Sequence, residues 1–216
     1  MGSETTLRDV SGTVGRGRGR PREFDVDEVL DRIVELFWVQ GFEATSMSDI
    51  VEATGLNKSS LYNTFGPKDA LFEAAVERYL AMRVAVMTEV VRDGTAGLDD
   101  VLRLLDYQQS QIVTERGRMG CLAVNTSTEL GLRDETAATL SRRSRDDVRT
   151  AVGAALRRAE AAGEIAVGTA NDRAEIVLAF TLSLAVIARG GASTEELEGQ
   201  FTAMRALIED WRLVNS

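Results

Sequence analysis

Residues 45–68 read TSMSDIVEATGLNKSSLYNTFGPK and predict two short helices joined by a tight turn. Ser46 and Asp49 have the spacing of a capping box, in which each side chain satisfies a free backbone N–H at the start of a helix. Gly55 is expected to end the first helix, because glycine enters the left-handed conformation at little cost. Asn57 is a suitable cap for the helix that follows. The segment therefore has the pattern of a helix-turn-helix.

The second helix, from Lys58 to about Phe65, has two distinct faces at the helical period. Leu61 and Phe65 lie on one face and are expected to pack. Small polar side chains and a cation lie on the other, and such groups can reach base edges and phosphates in a DNA major groove. A helical hairpin with a solvated outer face fits the same pattern, so both interpretations stay open at this point.

The residues around this segment resemble the N-terminal domain of the tetracycline-repressor (TetR) family of bacterial transcription regulators. The resemblance is carried by Leu36, Phe37, Gly41, Phe42, Thr45, Ser46, Asp49, Ile50, Gly55, Leu61, Tyr62, Phe65 and Lys68. It covers the N-terminal third of the chain, and the remainder resembles the family only in architecture. The resemblance implies that Tyr62 and Lys68 hold DNA phosphates, although Tyr62 also suits a half-buried packing position.

A basic arm precedes the first helix, although the chain as a whole carries a net charge of −9. Residues 16–22 contain four arginines that alternate with glycine or proline, and no acid. Arginines on a slim backbone can enter a narrow A·T-rich minor groove. The segment Arg18-Gly19-Arg20-Pro21 resembles an AT-hook core without its leading proline, and a flexible solvated tail is the alternative. The predicted contacts to operator double-stranded DNA are Arg18, Arg20, Thr45, Ser46, Lys58, Ser59, Ser60, Tyr62, Asn63 and Lys68, with Thr45 and Ser46 at the DNA backbone.

The composition argues against catalysis. The chain has no histidine and one cysteine, Cys121, so histidine-based acid/base chemistry and a histidine–cysteine metal site are excluded. A Gly-rich phosphate loop followed by lysine and serine or threonine does not occur. We therefore expect no enzyme activity, no metal and no cofactor. An N-terminal apolar signal and an 18-residue apolar span are also missing, which favours a cytoplasmic protein without a membrane partner.

The hydrophobic pattern predicts an all-α protein of about nine helices. A three-helix DNA-binding domain is followed by a C-terminal helical bundle that dimerises. The fourth helix starts near Lys68 and runs to about Arg92, so that it leaves the DNA-binding domain and enters the bundle. The predicted divisions are a flexible basic arm (1–22), the helix-turn-helix domain (23–68) and an effector-binding and dimerisation domain (69–216).

The eighth and ninth helices are predicted to form the dimer interface. The eighth is apolar nearly all round from Ala174 to Ala188, and a helix of this kind needs partners on both sides. The pair would be half of a four-helix bundle that a second copy completes, whereas a wholly intramolecular core is the alternative. The predicted interface residues are Ile176, Phe180, Leu184, Ile187, Phe201, Met204, Ile208 and Trp211.

A small-molecule effector, uncharged or weakly polar, is expected among the fourth to seventh helices. Methionines and aromatics adapt to ligands, and nearby polar groups would fix the ligand's orientation. The predicted lining residues are Tyr79, Met82, Met87, Tyr107, Met119, Cys121, Asn125, Thr126 and Glu129, although each of them also suits the core. Cys121 follows Arg116 and Arg118 and is a candidate redox or electrophile sensor. The alternative is a buried cysteine that only contributes to packing. The charges of the long seventh helix, including Arg145, are expected to form a solvated face.

The function predicted from the sequence is a homodimeric DNA-binding transcriptional regulator, most simply a repressor that an unidentified small molecule releases from its operator. Two other classes compete with it. One is a helical small-molecule binder or enzyme in which the N-terminal hairpin merely packs. The other is an architectural DNA binder without an effector. Specific binding to DNA from its own promoter region, and its loss with a small molecule, would separate the three.

Overall fold

The computed structural model describes residues 24–92 and 94–213. These residues form helices and connecting turns with no β-strand among them, which confirms the predicted all-α class. The predicted basic arm, with Arg18 and Arg20, lies outside the described residues.

Three helices form an N-terminal head. They are α1 (Val26–Gln40), α2 (Met47–Thr54) and α3 (Lys58–Phe65). The predicted capping box is confirmed, since the Asp49 N–H donates to Ser46 Oγ (3.2 Å) and the Ser46 N–H donates to Asp49 Oδ2 (2.7 Å). The hydrogen bond from the Ser46 backbone N–H lowers the pKa of the Asp49 carboxyl, and the Ser46 side chain adds to this effect. Gly55 has φ 71° and ends α2, and Asn57 Oδ1 accepts the Ser60 N–H at the start of α3 (2.9 Å), as the sequence predicts.

A small apolar core holds the head together. Ile33 of α1, Ile50 of α2 and Leu61 of α3 are fully buried. Phe37 of α1 packs edge-on against Phe72 of the following helix, with ring centroids 5.0 Å apart. Each such side chain contributes roughly 1.5–3 kcal/mol on burial. The next helix therefore completes the head before it enters the rest of the chain.

That next helix is continuous from Lys68 to Arg92 and contains one irregular turn. It consists of α4 (Lys68–Tyr79), a π-helical turn (Leu80–Val84) and α5 (Ala85–Arg92). The backbone stays right-handed helical at both junctions, Leu80 and Ala85. Pro67 precedes the helix as its N-cap, where a missing N–H costs little. A π-turn inside an α-helix has one residue more than a regular turn, and such turns recur at functional sites.

Five further helices and a short 3₁₀ turn complete the structure. They are α6 (Leu98–Ile112), the 3₁₀ turn (Gly117–Met119), α7 (Leu122–Leu130), α8 (Glu135–Ala161), α9 (Ala170–Arg189) and α10 (Thr194–Glu209). With α4 and α5 counted as one continuous helix, the described part of the chain contains nine helices, as predicted. The long helix α8 packs against α5, α7 and α9. Its buried positions are mostly small, among them Ala151, Ala155 and Ala159, so that neighbouring helices approach it closely.

A buried ion pair fixes the turn between α5 and α6. Asp100 has no solvent exposure, and its Oδ2 accepts a hydrogen bond from Arg158 of α8 (2.8 Å). Arg103 pairs with the other carboxylate oxygen, and the Ala96 N–H donates to Oδ2 (3.1 Å). Arg158 also donates to the Val91 carbonyl at the end of α5 (2.6 Å). The carboxylate therefore compensates its burial with hydrogen bonds from three separate segments.

The apolar stripe of the ninth predicted helix, α10, packs inwards. Five of the eight residues predicted at the dimer interface are buried within this chain. They are Leu184, Phe201, Met204, Ile208 and Trp211. Phe201 packs edge-on against Phe180 of α9, with centroids 5.5 Å apart. The prediction for these five residues is corrected, because they belong to the core of the single chain. The apolar stripe of α10 packs on α6 and α9 and buries Phe201, Met204 and Ile208. Leu184 is a buried residue of α9, and Trp211 is buried just after α10.

None of the helices in the described ranges combines the length and apolar character of a membrane span. Over the same residues, no cluster of three or more histidine, cysteine or acidic side chains is arranged to hold a metal ion.

Candidate DNA-binding surface and central cavity

One side of α3 is mostly exposed, and we call it the α3 surface. It consists of Lys58, Ser59, Tyr62 and Asn63, which are exposed, and Ser60, which is partly buried. Leu61 anchors the opposite side of the helix with no solvent exposure, whereas Tyr62 is 43% exposed. The Lys58 ammonium lies 5.9 Å from the Tyr62 ring centroid, and Asn63 Nδ2 donates to Ser59 Oγ (3.5 Å). The surface thus presents amide, hydroxyl and ammonium groups that can bond base edges and phosphates.

Three other predicted DNA contacts have roles inside the head. Thr45 is buried, and its hydroxyl donates to the Gly41 carbonyl (2.6 Å), so the prediction of a DNA contact by this side chain is corrected. Ser46 is exposed and caps α2. Lys68 Nζ donates to the carbonyls of Phe42 and Thr45 (both 2.8 Å) and lies 4.2 Å from the Phe42 ring centroid. Lys68 is half-buried, and its two hydrogen bonds connect the start of α4 to the α1–α2 loop.

Glu129 near the end of α7 holds the same loop from the other side. Its carboxylate accepts the backbone N–H of Phe42 (3.1 Å) and of Glu43 (2.8 Å). Gly41 has φ 85°, and a side chain there would meet the Glu129 carboxylate at 2.8 Å. Glycine thus permits both the backbone conformation and the close approach. The predicted ligand-binding role of Glu129 is corrected, because its carboxylate is used within the chain.

Two arginines add contacts between the head and the other helices. Arg189, at the end of α9, donates to the Trp38 carbonyl at the end of α1 (2.9 Å) and to the Met119 carbonyl (3.2 Å). A cation at the C-terminus of α1 is also favoured by the helix dipole. Arg116 pairs with Glu35 of α1 (2.6 Å) at the surface, where such pairs contribute little.

A mostly apolar cavity of about 120 Å³, which we call the central cavity, lies beside the π-turn. Residues from α4, the π-turn and the elements that follow, as far as α9, line it. They are Tyr79, Arg83, Val84, Met87, Tyr107, Gln108, Gln111, Ile112, Gly117, Gly120, Cys121, Val124, Ser144, Arg145, Val148, Leu178, Thr181, Leu182, Leu184 and Ala185. The cavity extends to α8 and α9, beyond the fourth to seventh helices that the sequence indicates. Arg145 of α8 lines it and so departs from the predicted solvated face.

Four of the predicted effector-binding residues line the central cavity: Tyr79, Met87, Tyr107 and Cys121. The other five do not. Met82 is 47% exposed, Met119 packs against the core, Asn125 donates to the Met119 carbonyl (3.1 Å), Thr126 is buried, and Glu129 bonds the α1–α2 loop. The sequence pattern could not separate these two groups, because both come from the same part of the chain, between α4 and α7.

Tyr79 and Cys121 lie together in the cavity wall. Tyr79 is buried, and its ring packs against Trp38 with centroids 5.0 Å apart. Burial raises the pKa of Tyr79 well above 10, and the neighbouring Cys121 sulfur adds to this effect. The phenol is therefore neutral at physiological pH. Gln108, Arg145 and Thr181, which the sequence did not indicate as cavity residues, contribute polar groups to the wall, as do Arg83, Gln111 and Ser144.

An exposed apolar stripe runs along α9 on the side away from the core. Ile176 is 43% exposed and Val186 is 53% exposed, with Ala179 between them on the same face. Phe180 and Ile187 border the stripe and are partly buried against the core. On the adjacent α10, exposed residues Ala203, Ala206 and Leu207 form a second, narrower stripe. The two alanines leave room for another helix to approach.

The chain is similar to known transcription regulators over most of its length. The model for bacterial regulatory proteins of the tetR family matches residues 29–75, which span α1 to α4. The chain is 32% identical over 192 residues to the HTH-type transcriptional repressor ComR of Escherichia coli, covering 88% of this chain and 91% of that protein. It is 29% identical over 195 residues to the HTH-type transcriptional regulator YezE of Bacillus subtilis, covering 88% and 100%.

Solved structures show the same fold. A cysteine mutant of the TetR family transcriptional regulator CifR, complexed with 26-bp double-strand operator DNA, has a TM-score of 0.78 and 25% identity, covering 89% of this chain and 100% of that one. A TetR transcriptional regulator from Chloroflexus aurantiacus has a TM-score of 0.78 and 27% identity, covering 87% and 96%. With the helix-turn-helix and its polar α3 surface in place, the chain belongs to the TetR family of DNA-binding transcriptional regulators.

Proposed function

We propose that the protein is a homodimeric repressor whose α3 surface enters the major groove of an operator and whose affinity for that operator falls when a small molecule fills the central cavity. The observation that carries the proposal is the α3 surface, in which polar side chains remain exposed while Leu61 anchors the helix. Repression is supported by the name of the relative ComR, and operator binding by the CifR complex. As a DNA-binding regulator of a bacterial family, the protein would act in the cytoplasm.

Dimerisation is supported by the exposed stripes of α9 and α10. A second copy packed on these stripes would cover Ile176, Val186 and Leu207, which otherwise remain in water. Two helices from each copy then make a four-helix bundle with an isologous, two-fold interface. The predicted contacts that remain for this interface are Ile176, Phe180 and Ile187, to which Ala179, Val186 and Leu207 are added.

Coupling between cavity and DNA is supported by two connections. The continuous helix from α4 to α5 packs on α1 in the head and lines the cavity at Tyr79 and Met87. Cys121, the N-cap of α7, and Val124 in its first turn line the cavity, and Glu129 near the other end of α7 holds the α1–α2 loop. Two heads must match half-sites about 34–36 Å apart, so a small shift of these helices costs DNA affinity. In this proposal α4 is shared between the DNA-binding region (23–68) and the effector and dimerisation region (69–216).

The test is selection of genomic DNA fragments by the purified protein, followed by footprinting. We expect protection of two half-sites related by two-fold symmetry and a protein mass in solution of two chains. Protection without sequence preference would favour the architectural DNA binder, and no binding to any fragment would favour the helical ligand-binding protein or enzyme.

A further inference from the structure

The polar groups of the central cavity define the chemistry of its ligand. Tyr79, Arg83 and Arg145 line the wall together with apolar side chains, and none of the described residues that line it is acidic. We propose that the cavity takes a small aromatic or aliphatic hydroxy acid, bound as the anion, with Arg145 holding the carboxylate and Gln108 Oε1 accepting a hydrogen bond from the hydroxyl group. The inference rests on the proposed ligand control and deepens it.

The side-chain amide of Gln108, a residue that is 8% exposed, has a defined orientation. Its Nε2 donates to Thr181 Oγ1 (3.0 Å), and Thr181 Oγ1 donates in turn to the Val177 carbonyl (2.9 Å). The hydroxyl proton is committed to Val177, so Thr181 Oγ1 can only accept from Gln108. A flipped amide would place two acceptors against each other. The amide orientation is therefore set by its neighbours.

This orientation leaves the amide oxygen of Gln108 without a hydrogen-bond donor. Gln108 Oε1 is buried and has no hydrogen-bond partner among the described residues. A buried polar atom without a partner is costly, and each such atom in a folded protein calls for a specific explanation. A ligand that carries a hydroxyl or N–H group would satisfy Gln108 Oε1. An ordered water could do the same, and the ligand would displace it.

The described residues of the cavity wall carry positive charge from Arg83 and Arg145. Arg83 stacks on the Trp38 ring, with its guanidinium carbon 5.0 Å from the centroid. Arg145 makes no hydrogen bond or ion pair with another residue in the described ranges. The five other arginines of α8 are ion-paired (Arg142, Arg149 and Arg158) or exposed (Arg143 and Arg157). A half-buried guanidinium favours a carboxylate, which it can bind through two parallel hydrogen bonds. The ligand is thus expected to be an anion, not the uncharged molecule that residue types alone indicate.

The volume of the central cavity limits the size of its ligand. The cavity of about 120 Å³ is of the same order as an engineered apolar cavity of about 150 Å³ that binds benzene. A body of about one ring therefore fits, with its apolar part against Val84, Met87 and Leu178. A long-chain or polycyclic ligand would need the surrounding helices to move.

The experiment uses three molecules of the same shape that differ in charge: benzoate, benzamide and benzamidine. Calorimetric titration of the full-length protein without DNA should give benzoate at least about tenfold tighter binding than benzamide, because charge-assisted hydrogen bonds are about twice as strong as neutral ones. Benzamidine should bind most weakly. Arg145→Gln should abolish the preference for benzoate, whereas Arg143→Gln, at an exposed position of the same helix, should leave it unchanged.

The hydroxyl group is tested with the three isomeric hydroxybenzoates. At least one isomer should bind more tightly than benzoate, and this advantage should vanish in Gln108→Met. Equal binding of benzoate and benzamidine, no binding of any of these probes at millimolar concentration, or an unchanged preference in Arg145→Gln would overturn the proposal. Because the titration contains no DNA, a probe that binds as expected but leaves operator affinity unchanged would contradict ligand-controlled release and leave the cavity assignment intact.

Discussion

Replacement of Glu129 by alanine should loosen the head from the rest of the chain. The carboxylate accepts two backbone N–H groups, from Phe42 and Glu43 (3.1 and 2.8 Å). A hydrogen bond to a charged group contributes about 1.5–3 kcal/mol. Because Glu129 is only half-buried, solvent screening reduces the pair to roughly 2 kcal/mol in total. Since every 1.4 kcal/mol is a factor of ten, local opening of the loop should become about 30-fold more frequent.

The assay is amide hydrogen exchange at Phe42 and Glu43, read by NMR or mass spectrometry. Protection of these two amides should fall about 30-fold in Glu129→Ala. In Glu129→Gln, which keeps one acceptor oxygen, it should fall roughly by the square root of that factor. Glu198→Ala, at an exposed site on α10, is the matched control and should change neither amide. Unchanged protection in Glu129→Ala would refute the reasoning that this carboxylate fastens the α1–α2 loop.

Three further outcomes are expected. Asp100→Asn should destabilise the protein by about 3 kcal/mol in urea unfolding, because Arg158 then loses its buried carboxylate; an unchanged midpoint would show that the pair is dispensable. The hydrogen bond from Arg78 lowers the pKa of Asp31 below 3.8, so the stability it contributes is present above that pH and is lost as the pH falls through the lowered pKa. Carboxyl NMR titration checks the sign, and a pKa above 3.8 would contradict it. Ile176→Glu should weaken the dimer at least about tenfold in sedimentation experiments, and a dimer as stable as the original would place the interface elsewhere.

Local chemistry explains which parts of the fold were predictable. Ser46, Asp49, Gly55 and Asn57 act on backbone groups within a few residues, so their caps and turn could be predicted from spacing alone. The π-turn at Leu80–Val84 has no comparable local signal and was not predicted.

Longer-range features needed the three-dimensional structure. In the sequence, the apolar stripe that includes Phe201 predicts that one face of α10 is buried, but it does not distinguish burial against this chain from burial against a second copy. In the structure Phe201 packs on Phe180 of the same chain. The hydrogen-bond donors to Glu129 lie 86 and 87 residues away in the sequence. They are backbone N–H groups, which every residue except proline carries, so no residue type in the sequence identifies them. Arg145 was indistinguishable from its solvated neighbours on α8 because the side that faces the cavity is set by α7 and α9.

The central claim is that the α3 surface recognises the operator, and the most direct measurement is DNA affinity of a variant that changes this surface alone. Lys58→Ala combined with Asn63→Ala removes two exposed groups and leaves the Leu61 anchor in place. The melting temperature should stay the same, while affinity for a selected operator fragment, measured by fluorescence anisotropy at fixed salt, should fall at least about tenfold. A folded variant that binds the operator as tightly as the original protein would contradict the account.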